Sequence, residues 1–277
     1  MAMNIIDTYG TDTIVDIPRL RQETPRLDLA AQIAEQNKFM HWELEFADLF
    51  AERGGFDLII GNPPWIKVAW NEKDFLSEVL PIIEIRKETA SYVNKMRTSI
   101  LGTKVDANAF MHEYVGTAGL QAFLGSVSNY EMLAGSSINL YTNFIPQAWH
   151  FTNETGIVAF IHQDNVFTDA DKANIRKELY RKLVAHYHFV NHKLLFDIGH
   201  TRQFSLNIYS NKPSSSFDTI SNLFEPKTID MCYSETNPDV ELGIKDSDGN
   251  WNTAGNKSRL IRVNKGALSL FASVFED

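Results

Sequence analysis

The stretch Gly54-Gly55-Phe56-Asp57-Leu58-Ile59-Ile60-Gly61-Asn62-Pro63-Pro64-Trp65-Ile66 constrains this chain more than any other. Phe56 to Ile60 is a short apolar run with β-branched residues, set between a glycine pair and a Gly-Asn-Pro-Pro break. That pattern predicts a buried parallel strand ending in a rigid turn. Strand ends of this kind are where open α/β sheets bind ligands. Pro64 pushes Pro63 into an extended conformation, and neither proline has an N–H. The turn therefore offers carbonyl acceptors and the Asn62 amide in a stiff frame, with Trp65 as a flat apolar plate beside them. Such a pairing suits a planar group with an exocyclic NH2: the acceptors take its two hydrogens while its ring stacks on the indole. The competing structural reading is a Pro-Pro that only stops the strand and a Trp that only fills the core.

Whether such a site can exist depends on having a core to carry it. The chain has 277 residues, 44% hydrophobic and 12% aromatic, enough for one sizeable core in an ordinary globular protein. No apolar run approaches the roughly 18 residues that span a bilayer, and no basic-then-apolar N-terminus points to export. Cys232 is the only cysteine, which excludes an internal disulfide and a cysteine-based zinc site. A cytoplasmic location with no membrane partner is the expectation. The net charge of −9 is awkward for contact with nucleic acid, which favours a basic surface.

Along the chain, Asn4 to Asp12 has a faint strand-then-glycine pattern with a single Gly. Leu27, Leu29, Ala30, Ile33 and Ala34 predict a helix over 25–39. Asp74 to Ile85, Glu88 to Met96 and Ala107 to Phe123 carry helical periodicity, so residues of about 67–137 read as a helical insertion with Pro81 as an interruption. Lys67, Lys87, Lys95, Arg97 and Lys104 within it are candidates for phosphate contact or for a solvated face. Ile138 onward begins an amphipathic helix to about Thr152, with Tyr141 and Phe144 on one face, followed by a Gly turn and a buried strand over 157–161. Thr168 reads as the N-cap of a helix to about Val184, whose Arg176, Lys177, Arg181 and Lys182 form the one dense basic patch. His188-Phe189-Val190 and Phe204 to Tyr209 predict an antiparallel pair around the polar loop that carries Phe196. From Ser210 the texture turns Ser- and turn-rich. Asp246-Ser247-Asp248-Gly249-Asn250 is a hairpin turn rather than a calcium loop, because Trp251 and Lys257 stand where an EF-hand needs Gly and Glu. No metal site is expected.

Asn62-Pro63-Pro64-Trp65 resembles the Asn/Asp-Pro-Pro-aromatic motif of DNA amino-methyltransferases, and with the preceding Gly-Gly-Phe-Asp it looks like the gamma-class adenine-N6 enzymes. The likeness is to the methylase region of large single-chain type II restriction-modification proteins, TaqI-like in character. His41-Trp42-Glu43-Leu44-Glu45-Phe46, Asn139-Leu140-Tyr141 with Phe144, and Leu194-Leu195-Phe196 resemble further segments of that family, so the likeness runs over roughly residues 38–277. It implies an α/β fold: a partial Rossmann-like methyltransferase sheet, the catalytic half with an antiparallel C-terminal hairpin, plus the helical insertion. The implied division is an N-terminal segment 1–40, a catalytic half 41–210, and a turn-rich extension 211–277 leading toward a target recognition domain.

The resemblance further implies that Asn62, Pro63, Pro64 and Trp65 are catalytic and that Trp65 and Phe196 clamp a flipped adenine. It makes Tyr141 and Asp57 contacts of the cofactor S-adenosylmethionine, and double-stranded DNA the partner. The family's glycine-rich cofactor loop and its target recognition domain have no convincing counterpart, so the expectation is a catalytic half that needs those segments or a partner subunit. Two other readings stay open: a catalytically inactive module with a binding role, and methylation of a protein glutamine, since Asn-Pro-Pro-aromatic occurs in such enzymes too.

Overall fold

The computed structural model describes residues 16–234 and 243–275. The Asn4–Asp12 stretch lies outside them. The chain divides into two compact units, Met1–Phe50 and Ala51–Asp277. In the first unit, α1 (Ile17–Glu23) is capped by the Asp16 carboxylate, which accepts the Arg19 N–H at 3.1 Å. Thr24 and Pro25 separate it from α2 (Pro25–Asn37), which stops two residues short of the predicted 39 because Lys38 turns left-handed at φ +49°. The His41–Phe46 segment is a short helix, α3 (Trp42–Glu45), and α4 (Ala47–Arg53) carries the chain across the division.

The second unit is built on a six-stranded mixed sheet, so the α/β expectation holds. Its strands are β1 (Phe56–Gly61), β2 (Thr152–Gln163), β3 (Leu183–Val190), β4 (Gln203–Ser210), β5 (Ser216–Leu223) and β6 (Ile261–Asn264), in the order β1-β2-β4-β3-β5-β6. β1 is parallel to β2 and β3 to β5, while β4 runs antiparallel to both β2 and β3. The antiparallel β3–β4 pair is the one read from the sequence. Residues after 210, by contrast, do not form only a turn-rich tail. β5 and β6 extend the sheet, separated by α11 (Lys227–Ser234), and α12 (Lys265–Phe275) follows β6.

The glycines before β1 are explained by geometry. Gly54 sits at φ +74°, and a Cβ on Gly55 would lie 2.6 Å from the Phe151 carbonyl oxygen. Only glycine lets the chain enter the sheet so close to that backbone. Between Phe56↔Thr152 and Leu58↔Ile157 the register jumps as β2 bulges, and Gly156 passes over the Phe56 carbonyl where a Cβ would sit 2.7 Å away. β1 is parallel, as predicted, but it is not buried. Among the described residues it lies at the sheet edge, with Leu58 54% and Ile60 74% exposed. An apolar run reads as buried on both faces only when both faces and both neighbours are supplied, and here one edge is open.

One face of the sheet packs under α9 (Leu140–Phe151) and α10 (Ala173–Lys182), where Tyr141, Ile145, Trp149, Ile175 and Leu179 meet Val158, Phe160 and Tyr209. The other face gathers Ala185, Tyr187, Phe189, Phe204, Ile220 and Leu223 with Cys232 of α11. Thr168 is not the cap of α10. A 3-10 turn over Ala170–Lys172 intervenes, and the helix proper begins at Ala173. The segment between β1 and α9 is helical as predicted: α5 (Glu72–Val79), α6 (Ile82–Ile85), α7 (Ala90–Ile100) and α8 (Lys104–Leu124). It has its own small core of Leu76, Ile83 and Val93.

Candidate active site

β1 delivers the chain to Gly61, and Asn62-Pro63-Pro64-Trp65 follows at the C-terminal end of the strand. Asn62 is exposed, Pro63 buried, and Pro64 and Trp65 half-buried. No hydrogen bond within the described residues consumes the Asn62 side-chain amide or the Pro63 carbonyl. The indole is fixed from beneath: its Nε1–H donates to the Ile161 carbonyl at 3.3 Å, just past the point where β1 stops pairing with β2. Backbone pairing continues beyond the turn, with Leu140 N–H donating to Ile66 O at 2.9 Å and Val68 N–H to Ile138 O at 3.2 Å. The turn is thus held on both sides while its acceptors stay free.

Phe196 is brought to Trp65. The ring centroids lie 5.5 Å apart at an interplanar angle of 56°. Phe204, which sequence reasoning placed only as a strand residue, completes the nest at 6.0 Å from Trp65 and 4.9 Å, edge-on, from Phe196. Phe189 stacks on Phe204 at 5.2 Å. Phe189 and Phe204 face each other in the β3–β4 register, a signal available in the sequence once the hairpin is drawn. The Trp65 and Phe196 rings touch each other at a tilt, with no slot between them.

Of the two residues that the resemblance assigns to the cofactor, Tyr141 is buried and Asp57 is exposed but paired. Tyr141 is fully buried, donates its hydroxyl to Asn165 Oδ1 at 2.6 Å, and stacks on His162 at 5.2 Å. Burial, with Asp169, Asp164 and Asp171 nearby, pushes its phenol well above the usual range. Asp57 lies near the start of β1, at the other end of the strand from Asn62. There its carboxylate accepts from Asn153 Nδ2 at 2.8 Å and pairs with Arg53 at 2.5 Å. Tyr141 and Asp57 are thus both engaged by partners within the protein.

The basic patch of α10 dissolves on inspection. Arg176 is buried and donates to the Val166 and Asp169 carbonyls, Arg181 pairs with Glu178 at 3.0 Å, and Lys182 donates to Asn211 while lying over the Trp149 ring. In the helical segment, Arg97 is bound to Glu72.

Sequence reasoning missed a second polar cluster, on the sheet face beneath α9 and α10. His162 is fully buried. Its Nδ1 lies 2.8 Å from the Gln163 carbonyl, which can only accept, so Nδ1 carries the proton and Nε2 accepts from Tyr209 O–H at 2.8 Å and Asn207 Nδ2 at 2.9 Å. Burial pushes the His162 imidazole down to about 4, so it is neutral at pH 7. Asp164, just beyond β2, meets His186 Nε2 at 3.0 Å, with His188 Nε2 at 3.9 Å. Burial works to raise the Asp164 carboxyl, but the hydrogen bond and charge of His186, with His188 and Ser205, hold it below the usual carboxylate range. Burial lowers the His188 imidazole as well. His186 and His188 alternate on β3 and so share a face, the pattern that could have revealed them. Among the described residues, no group of three His, Cys, Asp or Glu is arranged to hold a metal ion, and no helix is long and apolar enough to cross a membrane.

No curated protein matches the chain in sequence. Among solved structures, a Listeria monocytogenes protein described as a class I S-adenosylmethionine-dependent methyltransferase matches at 12% identity and a TM-score of 0.32, over 61% of this chain and 37% of that one. The type IIG restriction endonuclease BpuSI matches at 9% identity and a TM-score of 0.39, over 79% of this chain and 20% of that one. DrdV in its DNA complex matches at 14% identity and a TM-score of 0.35, over 70% of this chain and 18% of that one. The chain thus spans between about a fifth and two fifths of the lengths of these structures. Residues 6–101, which carry β1 and the Asn62–Trp65 turn, match the model of the Eco57I restriction-modification methylase family.

Proposed function

We propose that this chain carries the catalytic turn of a DNA adenine-N6 methyltransferase of a restriction-modification system, with S-adenosylmethionine as methyl donor and double-stranded DNA as substrate. The observation that carries the reading is the turn itself: an unengaged Asn62 amide and Pro63 carbonyl beside an anchored indole, at the C-terminal end of a parallel strand, inside the segment that matches the methylase family. Asn62 Oδ1 and the Pro63 carbonyl accept the two N6 hydrogens of an adenine taken out of the duplex, while its ring lies on Trp65. Two acceptors in that arrangement keep the N6 lone pair directed away from them and toward the incoming methyl carbon. Pro64 holds the frame stiff, so positioning rather than a strong base does the work. S-adenosylmethionine, when bound, supplies the electrophilic methyl group.

The same turn supports methylation of a glutamine side chain less well, because a primary amide offers no ring for the anchored Trp65 plate. The open edge of β1, with Leu58 and Ile60 exposed, fits a protein whose cofactor-binding strands come from a further segment or a partner subunit. The test is transfer of labelled methyl from S-adenosylmethionine to adenine-containing duplex DNA, by this chain and by the chain with the complementing segment, followed by separation of the nucleosides. Label in N6-methyladenine supports the reading. Label in protein glutamine, or in cytosine, overturns it.

A further inference from the structure

The loop between β3 and β4 carries Phe196, yet most of it is exposed: Lys193, Leu194, Leu195, Asp197, Gly199, His200, Thr201 and Arg202 all face solvent. Asn191, at the root of the loop, is by contrast fully buried. Its backbone N–H donates to Arg202 O at 3.0 Å, closing the mouth of the loop. Its side chain then reaches into the loop. Nδ2 donates to the Phe196 carbonyl at 3.0 Å and to the Ile198 carbonyl at 2.9 Å, and Oδ1 accepts the Phe196 N–H at 3.1 Å. Both donors and the acceptor of one amide are spent on the two residues that flank the turn of the loop, and Phe196 and Ile198 are its only half-buried side chains after His192. A carboxylate has no hydrogen to give either carbonyl.

The ring so held rests against Trp65 at 5.5 Å and 56°. Stacked bases lie about 3.4 Å apart, so a base between two plates needs them about 7 Å apart and nearly parallel. The pair is therefore closed on itself and must open to admit a base.

We infer that Asn191 is the positioning residue of the base-clamping loop: its buried amide sets Phe196 against Trp65, in a closed arrangement that an entering planar base opens by moving Phe196. This rests on the adenine reading given above, but the hold on the loop can be tested without DNA.

In the chain alone, Asn191→Asp is expected to speed hydrogen exchange across residues 192–202 at least tenfold while the amides of β2 and β4 stay protected. Unchanged loop exchange overturns the positioning role itself. With DNA, a duplex carrying 2-aminopurine at the target position reports extrusion of the base as increased emission and stacking on the aromatic pair as quenching. Asn191→Asp is expected to bind that duplex about tenfold more weakly, with less quenching of the extruded base, as Phe196→Ala does. The double variant is expected to be no worse than Phe196→Ala alone, because both changes act through one ring. Additive losses overturn the inference in favour of general destabilisation. A wild-type chain, with its complementing segment, that neither binds nor extrudes the base sinks the adenine reading, leaving the hold on the loop to be judged by exchange. Should Asn191→Asp not fold, Asn191→Ser, which keeps one small hydroxyl, takes its place in the same cycle.

Discussion

The two faces of the central sheet treat polar groups in opposite ways. Beneath α9 and α10, the side chains of His162, Tyr209, Asp164, His186 and His188 are bonded to one another or to backbone, and only the Asn207 Oδ1 atom of this cluster is left without a partner. At the end of β1, the Asn62 amide stands exposed with no hydrogen-bond partner among the described residues, beside the nest of Trp65, Phe196 and Phe204. Under the proposed function, titratable, buried and perturbed groups belong to the scaffold, and an unpaired amide belongs to the site. Satisfied networks hold structure in place, whereas a stiffly framed acceptor with nothing to accept from is available to a ligand.

That contrast can be broken from either side. The largest expected effect is on transfer: Asn62→Ala lowers the methylation rate by about 100- to 1,000-fold, the loss typical of removing one preorganised polar group from a transition-state site. Because Asn62 is exposed, its thermal midpoint stays near that of the wild type. Single-turnover rates set beside calorimetry check both halves.

On the other face the signs reverse. His186→Ala strands Asp164 in a mostly buried site, and urea unfolding is expected to show a loss of about 3 kcal/mol. The rate per folded molecule is expected to remain within about twofold, since the residue serves the scaffold.

A similar loss, of about 3 kcal/mol, is expected from acid alone. His162 takes up a proton near 6.5 when unfolded but only near 4 when folded, so the unfolded chain holds more protons between those values. Stability is complete above pH 6.5, falls as pH drops toward 4, and is not lost further through this group below that. His188 acts in the same direction. Replacing His162 with Gln should flatten this part of a stability profile measured by urea unfolding, and a profile that keeps its slope would place the acid sensitivity elsewhere. The smallest effect belongs to the exposed Arg181–Glu178 pair, where Arg181→Ala should move stability by less than about 0.5 kcal/mol.

What could be read in advance follows the same division. The β1 strand and its turn were legible because glycines, prolines and a tryptophan each fix backbone or shape at short range. The helices between β1 and α9 were legible through their periodicity. β5 was not, because its buried residues Phe217, Ile220 and Leu223 come at threes: the register slips between Tyr187 and Phe189, and Asn222 turns left-handed at φ +57°. A period-two reading cannot see such a strand. The histidines of the inner face were missed because their burial depends on partners far away in sequence, such as Asp164 for His186 and Tyr209 for His162. Tyr141, which the sequence resemblance sets beside a cofactor, is held inward by Asn165 and His162.

A structure of the protein with duplex DNA containing its target site would show which atoms grip the base. An adenine outside the helix is expected, its N6 within about 3.2 Å of both Asn62 Oδ1 and the Pro63 carbonyl, and its ring lying on Trp65. A target base still stacked in the duplex, or one bound with Asn62 turned to solvent, would contradict the adenine reading.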